Sequence, residues 1–314
     1  MVNLSYNLSD KIKANINKID ALLKEVLLTP VNPKNEIRHR WNANINKTYW
    51  GLTLAGNPLS KAQMSKLITK PLPKKLKESE KEVVSYYKTL NEIYQNWSAS
   101  KKLLTTKDVL NIYDFSCKST FGSTSTYYKS KEDLVGKILN FVELGNEHPI
   151  IQSGLLQIEI IKLSPFENGT GRVARLLSQL ILAKHGYNLR GLLVLEDYYR
   201  NDLISLKEAT KSIEKNKNAT KWLEYYTDGL KLSMEKVLEI LQKPDNQPNN
   251  GWKLTDRQKQ IVEYLYNPDA KITNRDVCKM YNVSQITASR DLSKIVNLGM
   301  ILVHGKGRSV YYTS

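Results

Sequence analysis

The chain has 314 residues, 41% hydrophobic and 25% charged, ordinary values for a globular protein with room for more than one core. Its net charge of +16 favours polyanions such as nucleic acids or nucleotides. No apolar run approaches the roughly 18 residues that span a bilayer, and the polar N-terminus lacks an apolar signal segment. A cytoplasmic protein with no membrane partner is therefore expected. Cys117 and Cys278 lie far apart with no metal-type spacing and read as free, buried or half-buried thiols, so no metal site is assigned to them.

In chain order, Ser9 can cap a helix whose apolar positions Ile12, Ile16, Ile19, Leu23 and Val26 share one face, with Pro30 and Pro33 closing it. Helical patterns follow at Lys61–Ile68, Glu80–Trp97, Lys131–Leu144, His148–Leu163, Val173–Lys184 and Lys221–Leu241. The lysines between Pro73 and Trp97 look like a solvated face. Strand-like character is confined to a short apolar run at Leu192–Leu195. Residues 242–251 carry two prolines, a glycine and several Asn/Asp with no apolar residue, and read as a linker. The expected fold is mainly α: an N-terminal helical segment (1–100) packing on a multi-helix core (101–241), then the linker and a small α+β unit (252–314).

One segment carries chemistry. Ser164-Pro-Phe-Glu-Asn-Gly-Thr-Gly171 lies between two apolar helical patterns. Pro165 stops the first, while Gly169 and Gly171 allow a tight turn into the second, which starts near Arg172 and ends at Gly186. A glycine-containing turn feeding a helix N-terminus aims free N–H groups and the positive dipole end at one point, which suits a phosphate. Arg172 and Arg175, three residues apart, can add charge and forked donors. Taken alone, Gly-x-Gly-Arg is equally compatible with an ordinary helix–loop–helix corner.

The full spacing, Ser164-Pro165-Phe166-Glu167-Asn168-Gly169-Thr170-Gly171-Arg172-Val173-Ala174-Arg175, resembles the signature His-Pro-Phe-x-(Asp/Glu)-Gly-Asn-Gly-Arg-x-x-Arg of the Fic (Fido) family of AMP-transferases. Further likeness comes from His148-Pro149-Ile150, Gly186-Tyr187, Tyr198-Tyr199 and Thr220–Tyr226, and from Leu52–Ser60 near the family's inhibitory segment. The resemblance implies a Fic core that binds ATP or another nucleotide and moves AMP onto a hydroxyl of a target protein. It implies a nucleotide site of Asn168, Gly169, Thr170, Gly171, Arg172 and Arg175, with Ser164 at the position of the catalytic histidine.

Three positions depart from that pattern. Ser164 cannot act as a base near neutral pH, so general-base help worth roughly 10²–10⁴-fold should be lost. Asn168 replaces the acidic Mg²⁺ ligand and coordinates more weakly than a carboxylate. Thr170 replaces the loop asparagine. Ala55 stands where the family's inhibitory glutamate is expected and Gly51 where its Ser/Thr is, so Arg175 is expected to have no partner from that segment and to be free for an anion. The target-docking β-hairpin would have to fall in Phe115–Tyr128.

In 251–314, ten Lys/Arg oppose five Asp/Glu. Thr255 can cap one helix there, a second opens at Thr273, and Ser284 opens a third that closes at Gly299. Strand-like Met300–Val303 and Ser309–Tyr312 flank a basic tip with Lys306 and Arg308. This resembles a winged helix-turn-helix of bacterial repressors. It implies DNA recognition, with Ser284, Gln285 and Thr287 nearest the bases and Arg290, Lys294, Lys306 and Arg308 on phosphates, in a homodimer. The leading expectation is a regulator or sensor with impaired AMP transfer. The alternatives are an active adenylyltransferase using a variant route and a protein-interaction scaffold.

Overall fold

The computed structural model describes residues 5–69, 72–73, 75–216, 218–243, 254–265, 267, 270–298, 300–305 and 309–313. Helix α1 (Asp10–Leu28) opens where Ser9 Oγ accepts from the Ile12 N–H, and it buries Ile12, Ile16, Ile19, Leu22 and Val26. That is the expected stripe, with Leu22 rather than Leu23 fully inside. Next come α2 (Pro33–Thr53), α3 (Lys61–Thr69) and α4 (Glu78–Trp97). The amphipathic α4 buries Val83, Tyr86, Tyr87, Leu90, Ile93 and Trp97.

Phe115–Tyr128 forms no hairpin. α5 (Thr106–Ser116), α6 (Lys118–Phe121) and α7 (Ser125–Lys129) occupy it, with Gly122 turning the chain at φ +78°. Backbone donors here are used locally: Thr120 and Phe121 N–H donate to the Cys117 carbonyl, Gly122 N–H to that of Lys118 and Tyr128 N–H to that of Thr124. After α8 (Glu132–Leu144) comes α9 (Pro149–Leu163), buried on every side from Ile150 to Ile160. A helix apolar all round must sit in the middle of a core. α10 (Thr170–Lys184) packs back along it, and Gly154 lets α9 approach Tyr226 and Leu223, since a Cβ there would lie 2.9 Å from the Tyr226 ring.

Leu192–Leu195 is not a strand. It is a buried connection between a 3₁₀ turn at Leu189–Gly191 and α11 (Glu196–Asn201), and no strand lies beside it among the described residues. α12 (Leu203–Asn216) and α13 (Thr220–Gln242) complete the core, with α13 packed against α1. The expected linker lies largely outside the described residues.

The C-terminal unit comprises α14 (Asp256–Leu265), α15 (Asn274–Tyr281), α16 (Gln285–Asn297), β1 (Leu302–His304) and β2 (Tyr311–Thr313). β1 and β2 pair antiparallel with Val303 opposite Tyr312, and Ile272 bridges to Tyr312. Side-chain caps open α15 and α16: Thr273 accepts from Asp276 N–H and Ser284 from Thr287 N–H. The unit leans on the helical core, where α16 meets α3 and the Tyr87 hydroxyl donates to the Asn297 carbonyl. Among the described residues no helix is long and apolar enough to cross a membrane.

Candidate phosphate-binding loop and helix-turn-helix

The loop between α9 and α10 is built by backbone restraint. Ser164 closes α9 in the left-handed conformation (φ 46°, ψ 63°), and Gly169 precedes α10 at φ +81°. A side chain at 169 would meet both strain and matter, since a Cβ there would lie 2.7 Å from Cys117 Sγ. Phe166 anchors the turn. It is fully buried and stacks on Tyr113 (4.6 Å) and Tyr128 (5.3 Å). Thr170 Oγ1 donates to the Phe166 carbonyl at 3.0 Å, tying its side chain to the loop itself. Arg172 and Val173 N–H donate to the Gly169 carbonyl, while the amides of Thr170 and Gly171 are the first of α10 and have no acceptor within the helix.

Both arginines are held from beneath. Arg172 is 4% exposed, and its Nη2 donates to Glu82 Oε1 of α4 at 2.9 Å. Its guanidinium also covers the Phe121 ring at 5.0 Å. Asn57 Nδ2 donates to the other Glu82 oxygen at 2.6 Å. Arg175 Nη2 donates to the Gly51 carbonyl at 2.9 Å. The expectation that the 51–55 segment would leave Arg175 without a partner is corrected here. A backbone oxygen supplies the bond, so the loss of a glutamate at 55 does not release the arginine. Position 51 has no room for the family's Ser/Thr, because a Cβ there would fall 2.6 Å from the Tyr86 hydroxyl.

One donor stays clearly unmet. Among the described residues Arg172 Nη1 is buried without a hydrogen-bond partner, whereas the Arg175 guanidinium lies beside the buried Tyr86 hydroxyl. A buried unpaired guanidinium N–H is costly, and two guanidinium groups beside the free first amides of α10 suit a phosphate group. The loop residues do not fit a strong Mg²⁺ site. Asn168 is neutral and exposed, Glu167 beside it is exposed as well, and no cluster of three metal-capable side chains occurs among the described residues. Ser164 is exposed at the mouth of the loop. Cys117 lies buried under the loop, where burial pushes its thiol up, and Cys278 is half-buried; both are free.

Glu82 was not legible as a site residue. Its sequence signal is an acid on the apolar stripe of α4, four residues before Tyr86. Beneath Arg175 lies a further polar group that the motif did not flag. Glu196 accepts from Gln179, and Lys47 Nζ donates to the Gly191 carbonyl at 2.8 Å. Burial pushes the Glu196 carboxyl up and pushes the Lys47 ammonium down to about 8.

In the C-terminal unit, Ser284, Gln285 and Thr287 meet at the α16 N-terminus, where the Ser284 and Thr287 hydroxyls lie 3.0 Å apart and serve the cap. Ile286, 65% exposed beside them, was not anticipated; a large apolar side chain in the first turn of an otherwise polar face is the signal. Arg290 and Lys294 turn towards the helical core and line a cleft against α3 and α4. Asp291 is buried between Arg257 Nε (2.6 Å) and Gln258 Nε2 (2.6 Å), fixing α16 to α14. Lys306 and Arg308 lie outside the described residues.

A nearly all-helical core with a glycine-turned loop at a buried helix hairpin, followed by a winged helix-turn-helix, defines a two-part architecture, and both parts have known counterparts. The fold of the chain is the Fic fold. It superposes on a Fic family protein from Desulfovibrio desulfuricans G20 with a TM-score of 0.64 at 18% identity, covering 99% of this chain and 97% of that one. Fic-1 from C. elegans is similar over 73% of this chain and 72% of its own (TM-score 0.58, 16% identity). A Fic domain containing signaling protein from Bacteroides thetaiotaomicron VPI-5482 is similar over 76% of this chain and all of its own (TM-score 0.53, 19% identity). Residues 257–314 match the family model of the DeoR-like helix-turn-helix domain.

Proposed function

We propose that the chain is a regulator in which a Fic-fold domain binds a nucleotide or another phosphate ligand, transfers AMP poorly, and is coupled to a winged helix that binds DNA. The observation carrying this reading is the pair of guanidinium groups, Arg172 with its Nη1 unpaired and Arg175, beside the free first amides of α10. They favour an anion, while Ser164 offers no group that accepts a proton at neutral pH. Positioning and charge neutralisation remain, and the base and the metal carboxylate are missing.

DNA binding rests on the match to the helix-turn-helix model and on the outward first turn of α16. Gln285 can read an adenine edge, and Ile286 can pack on a thymine methyl. A pair of such units in a homodimer would read two half-sites.

Incubating the full chain and candidate targets with labelled ATP and Mg²⁺ tests the reading. Nucleotide-dependent thermal stabilisation with little or no AMP incorporation is expected. Strong incorporation that depends on Arg172 would overturn the impaired-transfer part, and absence of any nucleotide-dependent shift would favour a scaffold. A combined Ser164→His and Asn168→Asp variant should gain transfer; if it stays inactive, the lesion lies outside the loop.

A further inference from the structure

The face of α16 beyond its first turn lines an open cleft of about 520 Å³ whose opposite wall is formed by α3, Leu72 and α4. The cleft is cationic. Lys88 lines it from α4, and Arg290 and Lys294, one helical turn apart, line it from α16. Asp291, the one acid among its described lining residues, is already paired with Arg257 and Gln258. Among the described residues neither Lys88 nor Arg290 forms an ion pair. Ser289 and Ser293 add hydroxyls, and Ile68 and Leu72 give the far end an apolar surface.

We infer that this cleft binds a small phosphorylated molecule between the helical core and the helix-turn-helix. Lys88 and Arg290 on opposite walls match a phosphate dianion better than a carboxylate, and an Arg fork paired with an ammonium group is a common way of holding one. The volume suits a small-molecule ligand and excludes a DNA duplex. The Ile68 and Leu72 wall calls for an organic part attached to the phosphate. A ligand held by Lys88 on one side and by Arg290 on the other clamps the recognition helix to the core. Arg290 then cannot serve DNA phosphates at the same time, so ligand and DNA compete. The competition, though not the site, rests on the DNA-binding reading above.

The test is calorimetric titration of the full chain with glucose 6-phosphate and with inorganic phosphate, using glucose as the neutral control. Phosphate-dependent binding should weaken at least tenfold in Lys88→Gln and in Arg290→Gln. It should persist in Arg175→Gln, which disables the α9–α10 loop, with thermal unfolding confirming that the variant is folded. Unchanged binding in Lys88→Gln, or loss in Arg175→Gln alone, overturns the site. A duplex-binding arm separates the sources of phosphate. Glucose 6-phosphate should weaken duplex binding by the wild type and not by Lys88→Gln. If Lys88→Gln instead weakens duplex binding and leaves the probes unaffected, DNA occupies the cleft and the inference fails. If no duplex binds while the probes still depend on Lys88, the site stands and the DNA reading falls.

Discussion

Glu82 and Arg172 form a buried ion pair, 2.9 Å between Oε1 and Nη2, that joins α4 to the first turn of α10. Neither side chain is more than 11% exposed, so the pair sits where loss of one partner leaves an uncompensated charge. Because Asn57 holds the second Glu82 oxygen, the carboxylate is fixed and competes directly with any anion for Arg172.

Glu82→Gln should therefore do two opposite things. It should lower stability by about 3 kcal/mol, the usual cost of breaking a buried pair. It should also release Arg172 for ligand, so that ATP or pyrophosphate raises the melting temperature more than in the wild type. Thermal unfolding with and without pyrophosphate reads both effects. Equal ligand-induced shifts in the two proteins would show that the pair does not gate the loop.

Gly169 and Cys117 should be energetically coupled. Gly169→Ala introduces a methyl group 2.7 Å from Cys117 Sγ at a φ of +81°, which should cost about 2 kcal/mol. Cys117→Ala removes the clash and leaves the backbone strain. The double variant should accordingly be more stable than the sum of the single losses by about 1 kcal/mol, measured in a double-mutant cycle by urea unfolding. Strict additivity would mean that the loop lifts away from α5.

Lys47 sets an alkaline stability profile. Its folded ammonium is pushed down to about 8 by burial, while the unfolded chain holds the proton to about 10.5. Between these values the unfolded state carries the extra proton, so stability should rise with pH from about 8, by up to about 3 kcal/mol. The buried tyrosines act the other way. Tyr87 and Tyr226 are pushed up to about 12, so the unfolded chain loses their protons first and stability falls above about pH 10. Lys47→Met should flatten the rise between pH 8 and 10 without altering the fall above it. Urea midpoints across that range report the difference.

Ser284 tests the recognition helix locally. Its hydroxyl accepts from Thr287 N–H at 3.2 Å, so Ser284→Ala should cost about 1 kcal/mol in the C-terminal unit. Gln285→Ala should leave stability unchanged and, on a DNA site containing its adenine, cost about 1–3 kcal/mol in affinity. Unaltered sequence preference in the Gln285→Ala variant would place base reading elsewhere.

The long helices were legible because burial writes a 3.6-residue period into them. α1, α4 and α13 appear within one or two residues of their expected ends, and Pro165, Gly169 and Gly186 mark the loop and the end of α10. The failures have physical causes. Leu192–Leu195 is apolar because it is buried, and burial alone does not distinguish a strand from a connection. The Ser/Thr-rich stretch before Tyr128 resembled a hairpin, yet it closes its hydrogen bonds within short helices. Partners of the motif arginines could not be read at all. Glu82, Asn57 and the Gly51 carbonyl come from segments about 90 to 125 residues away and meet the loop only through packing.

The central claim is that the α9–α10 loop holds a nucleotide without passing AMP on. The direct measurement is the fate of ATP labelled at its α-phosphate after incubation with the full chain and Mg²⁺, comparing native filter retention with retention after denaturation. The account predicts label retained by the native protein, reduced in Arg175→Gln, and released when the protein is unfolded. Label that survives denaturation would show covalent AMP transfer, and no native retention would show that the loop does not bind the nucleotide; either result contradicts it.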